Sequence, residues 1–390
     1  MPQLPVPTWK RAAFRAIARS ERALRGGAHP GAERLNEIRN FLLLQYEAPL
    51  GSVVHATPLL EALKTAMPDA HIAVAASPMA ASALCNSPFL NGRLTATASP
   101  FSSLRSAADV RGLMRAMPPG PRCVITTIGN QRTRLAMLGL LAGKSVRAGY
   151  TLAPEIYDVP LTFTPERGQI EGNLDILRAL GYEVAFCEPR VFFDQLDAEF
   201  ATQSMEAIPE EPGAPRIAFV TRNSGGQRNQ WSTERFRQVI ADLSHSCGAV
   251  PVFLGTAIDA PAIEALRHAL PNAGVSLAGK TTIPQLAAVL AQCDLIVSLD
   301  TGTFHVARAV GLPGVVIAPA WQDPREWLPV NHIHYRVLRG PSIPAAPPGY
   351  CIEEITAEQV SAAATDLLGH FPPSSAARAA RVQAAVHKPR

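Results

Sequence analysis

The chain has 390 residues, of which 47% are hydrophobic and 17% are charged. This composition excludes a disordered chain, a collagen and a small disulfide scaffold, and the length predicts two domains with a cleft between them. The net charge of +4 is uneven: residues 1–36 sum to +5, residues 371–390 to +4 and residues 37–370 to −5. Nucleic-acid-binding proteins usually carry their basic patch on the folded body, so we expect no nucleic-acid partner.

The cysteines and the N-terminus indicate a cytoplasmic protein. The six cysteines lie 38 or more residues apart, without a C-x-x-C pair, which predicts free thiols in a reducing compartment and no metal site. The N-terminus lacks the apolar segment of a signal peptide, and no stretch is long and apolar enough for a membrane span.

Residues 1–36 are predicted to form a basic helical extension. Along a helix, Arg11, Arg15, Arg19, Arg22 and Arg25 fall on one side, and Trp9, Ala13, Ile17 and Leu24 fall on the other. Two interpretations stay open: the helix packs on the body through its apolar stripe, or residues 9–25 lie on the anionic surface of the inner membrane.

The body of the chain alternates short apolar runs with stretches of helical period, which predicts parallel strands covered by helices on both faces. In residues 37–207 the predicted strands are Phe41–Gln45, Ile72–Ala75 and Cys123–Thr127, and the predicted helices are Pro58–Met67 and Arg132–Leu141. Residues 208–215 contain three prolines, a composition typical of an interdomain linker.

A second series occupies residues 216–350, so we expect an α/β protein with two doubly wound halves. Its predicted strands are Ile217–Val220, Val250–Leu254, Leu295–Leu299 and Val315–Ile317, and its predicted helices are Thr233–Leu243, Ala260–Leu270, Pro284–Ala291 and Thr303–Val310. Residues 351–390 are predicted to form a C-terminal helix and a basic tail. Ligands of such sheets bind beyond the carboxyl ends of the strands, so the loops there are the candidate sites.

The loop after the strand Leu295–Leu299 is the clearest candidate. Thr301 is predicted to cap the next helix, and Gly302 lets a ligand approach the backbone. The free N–H groups and the positive helix end favour a phosphate or diphosphate, to which His305 adds a donor. Asp300 would repel a phosphate, so we expect it to accept hydrogen bonds from sugar hydroxyls. A turn with a purely structural role stays an alternative.

Two further loops reach the same kind of sheet edge. Residues 221–231 carry Arg222 and Arg228, either of which can neutralise a diphosphate, unless the loop is simply solvated. Residues 47–58 follow the first strand of the first half, and we expect them to face the other loops across the cleft. Glu47, Ser52 and His55 are the groups of this loop that can contact a proton.

Several motifs follow one another in order between residues 38 and 340. They are Gly51-Ser52-x-x-His55-x-Thr57-Pro58, Ala142-Gly143-Lys144, Trp231 to Phe236, Leu277 to Thr281, and Asp300-Thr301-Gly302-x-x-His305 with Gly311-x-Pro313. In this order they resemble glycosyltransferase family 9, the ADP-heptose-dependent heptosyltransferases. The resemblance implies the GT-B fold, with two Rossmann-like domains that bind the acceptor (37–207) and the nucleotide sugar (216–350).

The resemblance also implies an inverting, metal-independent transferase with no cofactor, whose substrate is a nucleotide sugar such as ADP-heptose. The implied acceptor is a hydroxyl of lipopolysaccharide core, of another glycan or of a protein. Donor contacts are implied for Thr221, Arg222, Arg228, Asn229, Asp300, Thr301, Gly302, Thr303 and His305, ribose contacts for Asp259, and adenine contacts for Lys280 and Thr281.

Two positions depart from the family pattern. The family has an aspartate, its general base, where this chain has Ser52, and a serine cannot take the acceptor proton without a base of its own. Three interpretations stay open: Glu47 is the base, His55 is the base, or the protein binds a nucleotide sugar without transferring it. The family also favours lysine where this chain has Asn229, although Arg228 is adjacent.

Overall fold

A computed structural model shows two compact units, Met1–Pro189 and Arg190–Arg390. The structure describes residues 7–24, 35, 37–95, 104–206, 208, 213–223, 229–270 and 272–387. Each unit contains one six-stranded sheet in which all neighbouring strands are parallel. This confirms the predicted α/β class with two Rossmann-like halves.

The first unit alternates strands and helices from residue 40 onward. Its elements are α1 (Thr8–Leu24), β1 (Asn40–Gln45), α2 (Leu50–His55), α3 (Thr57–Ala66), β2 (His71–Ala76), α4 (Pro78–Ala83), β3 (Gly92–Thr95), α5 (Leu104–Ala116), β4 (Arg122–Thr126), α6 (Thr133–Leu141), β5 (Val146–Tyr150), β6 (Val159–Leu161) and α7 (Gln169–Ala179). Two 3₁₀ turns, Pro154–Ile156 and Pro165–Arg167, join β5, β6 and α7.

The sheet of the first unit has the strand order β3-β2-β1-β4-β5-β6. All six residues of β1 are buried, as expected for a central strand that is covered on both faces. Leu42 and Leu44 of β1 pack with Val124 of β4 and Leu135 of α6 in one apolar cluster. The chain moves outward from β1 in one direction and then returns to β4, so the strand order reverses between these two strands.

The second unit repeats this arrangement. Its elements are α8 (Gln195–Met205), β7 (Arg216–Val220), β8 (Gln230–Trp231), α9 (Thr233–Cys247), β9 (Val250–Phe253), α10 (Ala260–His268), β10 (Val275–Ser276), α11 (Ile283–Ala291), β11 (Leu295–Leu299), α12 (Gly302–Ala309), β12 (Gly314–Ala318), α13 (Pro324–Trp327), β13 (Tyr335–Arg339), β14 (Cys351–Ile352), α14 (Ala357–His370) and α15 (Ser375–Ala385). Its sheet has the order β10-β9-β7-β11-β12-β13, which reverses between β7 and β11, while β8 pairs with β14.

The division between the units lies after Pro189, upstream of the predicted linker 208–215. Residues 190–206 belong to the second unit because α8 packs on α11, where Gln292 Nε2 donates to Thr202 Oγ1 at 3.1 Å. Phe193 forms a backbone bridge with Val386, which ties α15 to the same unit. Residues 209–212 of the predicted linker lie outside the described residues.

Helix α1 packs on the first unit through a side that only partly coincides with the predicted stripe. Phe14 and Ala18 are buried, whereas Trp9 is 67% exposed. Glu21 accepts two hydrogen bonds, of 3.0 and 2.9 Å, from the guanidinium of Arg147, which is 2% exposed. Among the described side chains of the predicted stripe, Ile17 is partly buried, whereas Trp9 and Ala13 are exposed. The helix therefore packs through Phe14, Ile17 and Ala18, so the predicted stripe is wrong at Trp9 and Ala13. Arg25 and the side chains of Arg22 and Leu24 lie outside the description.

The cysteines are free thiols. Cys123 and Cys293 are buried and Cys247 is exposed. Burial raises the pKa of Cys293 to about 12, so this thiol is neutral at physiological pH. Within the described ranges, no helix is long and apolar enough to cross a bilayer.

Candidate functional site

The carboxyl edge of the second sheet brings two of the predicted loops together. β7 and β11 are paired so that Val220 lies opposite Ser298, and residues 221–223 and 300–302 therefore leave the sheet side by side. The strand order reverses at this pair. Such a reversal is where open α/β sheets bind ligands, because the connecting segments diverge and leave a crevice.

Helix α12 begins at this reversal with hydrogen-bond donors that lack acceptors. Thr301 is its N-cap residue in extended conformation, but the Thr301 side chain does not accept the predicted capping hydrogen bond. In the described part of the chain, the amides of Gly302 and Thr303 have no acceptor and the buried Oγ1 of Thr301 has no partner. These three groups and the positive end of the helix dipole together suit the oxygens of a phosphate group.

Asp300 and His305 lie on either side of Thr301 in the chain and approach one another. Asp300 Oδ1 is 3.5 Å from His305 Nε2, and the two residues are 9% and 3% exposed. The ring of Trp327 in α13 lies 5.8 Å from that of His305, between centroids. Asp300 therefore presents a nearly buried carboxylate, held near a histidine, at the start of α12.

Three amide side chains connect the loop after β7 to the start of α12. Asn229 Nδ2 donates to the backbone carbonyl of Asp300 at 2.8 Å, and Asn229 Oδ1 accepts from Asn223 Nδ2. Asn223 Oδ1 in turn accepts from Gln230 Nε2 at 2.9 Å. Asn223 and Asn229 are buried, so this chain of hydrogen bonds fixes the path of the backbone at residue 300.

Asp259 holds the loop between β9 and α10. Its Oδ2 accepts hydrogen bonds from the amide of Thr256 at 2.9 Å and from Thr256 Oγ1 at 2.7 Å. Its Oδ1 is 3.5 Å from Arg222 Nε, which connects this loop with the loop after β7. Arg222 is half exposed, so its guanidinium can also reach a ligand.

Lys280 and Thr281 lie in the loop after β10, beside the loop after β9. Lys280 Nζ donates to the backbone carbonyl of Ser276 at 2.9 Å, so its ammonium group lies against the backbone of its own loop. Gly279 has φ +72°, and a Cβ on it would come within 2.7 Å of the Cα of Ala257. This close approach brings the two loops together. Arg228, predicted to contact the diphosphate, lies outside the described residues.

The reversal point of the first sheet carries a buried polar network. Gln45, the last residue of β1, donates through Nε2 to Thr127 Oγ1 at 2.8 Å and accepts from Asn130 Nδ2 at 2.8 Å. Asn130 Oδ1 accepts from the backbone amides of Tyr46 and Glu47, both at 3.1 Å. Asn130 therefore fixes the direction in which Glu47 leaves the sheet.

Glu47 is partly exposed at this edge. Its side chain is 22% exposed, and its Oε2 lies 3.1 Å from Nε of Arg132, whose side chain is 62% exposed. The neighbouring Tyr46 is buried, and burial raises its pKa to about 12, so this phenol stays protonated at neutral pH. Glu47 thus places an acidic side chain with some exposed surface at the end of β1, although its Oε2 is buried.

Ser52 and His55 lie in helix α2, in a segment that the sequence predicted as a loop. Both are 1% exposed. Ser52 faces Gly129 so closely that a Cβ on Gly129 would come within 2.8 Å of Ser52 Oγ. The carbonyl of His55 accepts a hydrogen bond from Asn173 Nδ2 at 3.1 Å, and Asn173 Oδ1 accepts from the amide of Ile128. The helix therefore turns these two polar side chains into the first unit.

The family model for glycosyltransferase family 9 (heptosyltransferase) matches residues 134–338, more than half of the chain. The chain belongs to glycosyltransferase family 9. This family match includes every predicted donor residue from Thr221 to His305. It does not include the segment with Glu47, Ser52 and His55.

Known relatives of this family 9 chain agree with the match. It is 30% identical over 107 residues to lipooligosaccharide heptosyltransferase 2 of Haemophilus influenzae, across 26% of this chain and 31% of that protein. It is 29% identical over 169 residues to lipopolysaccharide core heptosyltransferase OpsX of the same organism, across 42% and 46%. The chain thus spans less than half the length of these curated relatives.

The fold of this family 9 chain matches a solved heptosyltransferase. The structure of Escherichia coli ADP-heptose lipopolysaccharide heptosyltransferase II superposes with a TM-score of 0.68 and 20% identity, over 85% of this chain and 99% of that one. At this identity the likeness concerns the fold, and it confirms the predicted GT-B class.

Sequence reasoning missed several residues that shape the two sites of this family 9 member. Asn130 and Thr127 orient the end of β1, Arg132 pairs with Glu47, and Asn223 supports Asn229. The strand order offered a signal for the first three, because residues after β4 must lie beside residues after β1 once the sheet reverses between these strands. Nothing in the sequence singled out Asn223 from its polar neighbours.

Proposed function

We propose that the chain is an inverting glycosyltransferase that moves a sugar, heptose from ADP-heptose, to an acceptor hydroxyl of lipopolysaccharide core, another glycan or a protein. One observation carries this proposal: the acceptor-less amides of Gly302 and Thr303 and the unpartnered Thr301 hydroxyl lie at the reversal point of the second sheet. The diphosphate of a nucleotide sugar supplies the acceptors that these groups lack. The similarity in fold to the E. coli ADP-heptose lipopolysaccharide heptosyltransferase II supports ADP-heptose as the donor.

The remaining donor contacts follow from the same edge. Asp300 and His305 would contact the sugar and the phosphate, Arg222 would add positive charge, and Asp259 would accept from the ribose hydroxyls. Thr221, Arg228 and Asn229 would complete the diphosphate site, and Lys280 and Thr281 would lie beside the adenine. Asn229 acts in this proposal through Asp300, whose carbonyl it holds.

In the proposed reaction Glu47 takes the proton of the acceptor hydroxyl. The oxygen then attacks the anomeric carbon of the sugar from the face opposite the diphosphate, the bond to the diphosphate oxygen breaks, and ADP leaves with the bonding electrons. The donors at the start of α12 stabilise the charge that develops on the leaving group, so the step needs no metal ion. The exposure of Glu47, against the burial of Ser52 and His55, supports Glu47 as the base.

The Glu47–Arg132 pair and the serine at position 52 favour a second candidate function. Arg132 Nε lies 3.1 Å from the buried Oε2 of Glu47, so this oxygen faces a cation and not an acceptor hydroxyl, and Ser52 replaces the acid that the family uses. A chain with both features could bind a nucleotide sugar without transferring it.

A single assay separates the two functions. The purified chain is incubated with ADP-heptose, or with UDP-sugars, with and without a lipopolysaccharide-core acceptor, and released nucleotide is measured. The transferase releases ADP only when ADP-heptose and acceptor are both present, and mass spectrometry finds the acceptor heavier by one heptose. Binding by calorimetry with no product would establish the second function.

The location of the protein is also a proposal. We propose that it acts in the cytoplasm and touches the inner membrane through α1. Arg11 and Arg15 lie 3.8 and 3.9 Å from Glu155 but remain largely exposed, so they can face anionic lipid. Loss of vesicle binding on replacing both arginines by glutamine would support this contact, and unchanged binding would reject it.

A further inference from the structure

A basic cavity lies at the amino end of β4 in the first unit, where the proposed reaction uses no residue. Its volume is about 300 Å³. Arg111 and Arg115 of α5, Arg122 at the start of β4 and Lys144 after α6 line it, together with the apolar side chains of Met114 and Ala142. Met114 and Ala142 are buried members of the core, so the cavity has an apolar floor and a cationic rim.

The four cations of this rim have no acidic partner among the described residues. Arg111 Nε donates to the carbonyl of Leu141 at 2.6 Å, and Arg122 donates to the carbonyl of Pro118 at 3.5 Å. In the described part of the chain, the side chains of Arg115 and Lys144 make no hydrogen bond, and the buried Nε of Arg122 has no partner. Donors therefore remain available for a ligand.

The ends of two helices account for only part of this charge. α5 ends at Ala116 and α6 at Leu141, next to the cavity, and a helix C-terminus attracts cations because it carries about half a negative charge. Two such ends offset about one of the four positive charges. The rest of the positive charge surrounds one cavity, where an anion with several oxygens would neutralise it.

We propose that this cavity binds a phosphate-bearing anion, a phosphomonoester or diphosphate group, from a soluble ligand or from a lipid headgroup. The guanidinium groups bind the phosphate oxygens in pairs, Lys144 adds a point charge, and Met114 and Ala142 contact the carbon atoms next to the phosphate. The site differs from the one at Glu47. Arg122 begins β4, whereas Glu47 follows β1, so the two lie at opposite ends of strands that span roughly 15 Å.

Two double variants test the site in the full chain. R115Q/K144Q removes two rim charges whose side chains make no hydrogen bond in the described chain, so we expect it to fold normally. R93Q/R237Q removes two charges outside the cavity, from the exposed Arg93 and from Arg237, which pairs with Glu234, and is the control matched in charge. Equal melting temperatures of the three proteins establish that both variants fold.

Binding is measured by calorimetry with inorganic pyrophosphate. It is also measured by co-sedimentation with vesicles of phosphatidic acid and phosphatidylcholine, with Arg11 and Arg15 replaced by glutamine in every protein so that α1 does not contribute. We expect R115Q/K144Q to weaken binding at least tenfold while R93Q/R237Q stays within twofold of the wild type. If R115Q/K144Q loses binding to pyrophosphate, a soluble phosphate is sufficient as the ligand. If it loses binding only to vesicles, the ligand is a lipid headgroup. The absence of binding in both assays, or binding that R115Q/K144Q leaves unchanged, would overturn the proposal.

Discussion

At the proposed donor site, removal of the buried hydroxyl of Thr301 should affect ligand binding and stability in opposite ways. A buried hydroxyl without a partner costs about 1–3 kcal/mol, which a bound phosphate would recover. T301V should therefore leave the melting temperature unchanged or raise it, while the affinity for ADP falls about tenfold, the equivalent of about 1.4 kcal/mol. Differential scanning calorimetry and ADP titration measure the two effects.

Thr57 provides the matched control for this prediction. Its hydroxyl is also buried, but it donates to the carbonyl of Val54 at 2.7 Å. T57V should therefore lower the stability by about 1 kcal/mol, with ADP affinity unchanged. A T301V protein that is less stable and binds ADP normally would assign Thr301 a structural role.

Glu47 is the residue on which the proposed chemistry depends. Removal of a general base costs about 10²–10⁴-fold in rate, so E47Q should lose turnover by that factor while its affinity for ADP-heptose stays within a few-fold. S52A should keep activity within a few-fold, because Ser52 is 1% exposed and cannot reach an acceptor. Initial rates of ADP release test both variants. An active E47Q enzyme would remove Glu47 from the mechanism.

The sequence predicted the location of these residues better than their contacts. The sequence predicted the start of a helix at Thr301, because an apolar strand precedes it and threonine is a preferred N-cap residue. It could not show that the Thr301 side chain makes no capping hydrogen bond, since that depends on the surrounding packing. Ser52 and His55 were expected in a loop, but they belong to the six-residue helix α2, and both are buried.

At the scale of elements, strands that appear as apolar runs were predictable, whereas edge strands and β5 were not. β5 is buried and lies inside its sheet, but Arg147 and Gly149 interrupt its apolar run. β11 has the predicted bounds, because a strand buried on both faces appears as a continuous apolar run. β3, at the edge of its sheet, has no buried residue, so it lacks such a run and escaped prediction. β10 and β6 are also short strands with little burial and were missed for the same reason.

The docking of α1 depends on the Glu21–Arg147 pair. In E21Q the buried guanidinium of Arg147 keeps Asp158 Oδ2 at 3.8 Å and the carbonyl of Ile156 at 2.8 Å. We therefore expect E21Q to cost about 1.5–3 kcal/mol, the usual contribution of hydrogen bonds to a charged group. Hydrogen exchange of the amides of residues 14–24 should accelerate accordingly. R15Q, which removes a largely exposed charge from the same helix, should change exchange little. Equal exchange in the two variants would contradict this role of Glu21.

At the scale of the whole molecule, two sheets with the same strand order carry complementary chemistry. The reversal point of the first presents a carboxylate at Glu47, and that of the second presents, after Leu299, the hydrogen-bond donors proposed to bind phosphate. The alternation of strands and helices made this duplication predictable. The boundary after Pro189 was not predictable, because the assignment of α8 to the second unit depends on its packing against α11.

The proposed metal independence concerns the whole catalytic assembly and can be tested directly. No group of three or more His, Cys, Asp or Glu side chains that could hold a metal ion occurs among the described residues. We expect acceptor-dependent release of ADP to be the same, within twofold, with excess EDTA as with added Mg²⁺. A rate that falls tenfold with EDTA and recovers with Mg²⁺ would show that the leaving diphosphate needs a metal.

A crystal of the protein soaked with ADP-heptose tests the central claim most directly. We predict that the diphosphate lies within hydrogen-bond distance of the amides of Gly302 and Thr303 and of Thr301 Oγ1, with the sugar beside Asp300. A nucleotide bound away from residues 300–305, or a crystal that takes up no nucleotide at saturating concentration, would contradict the account.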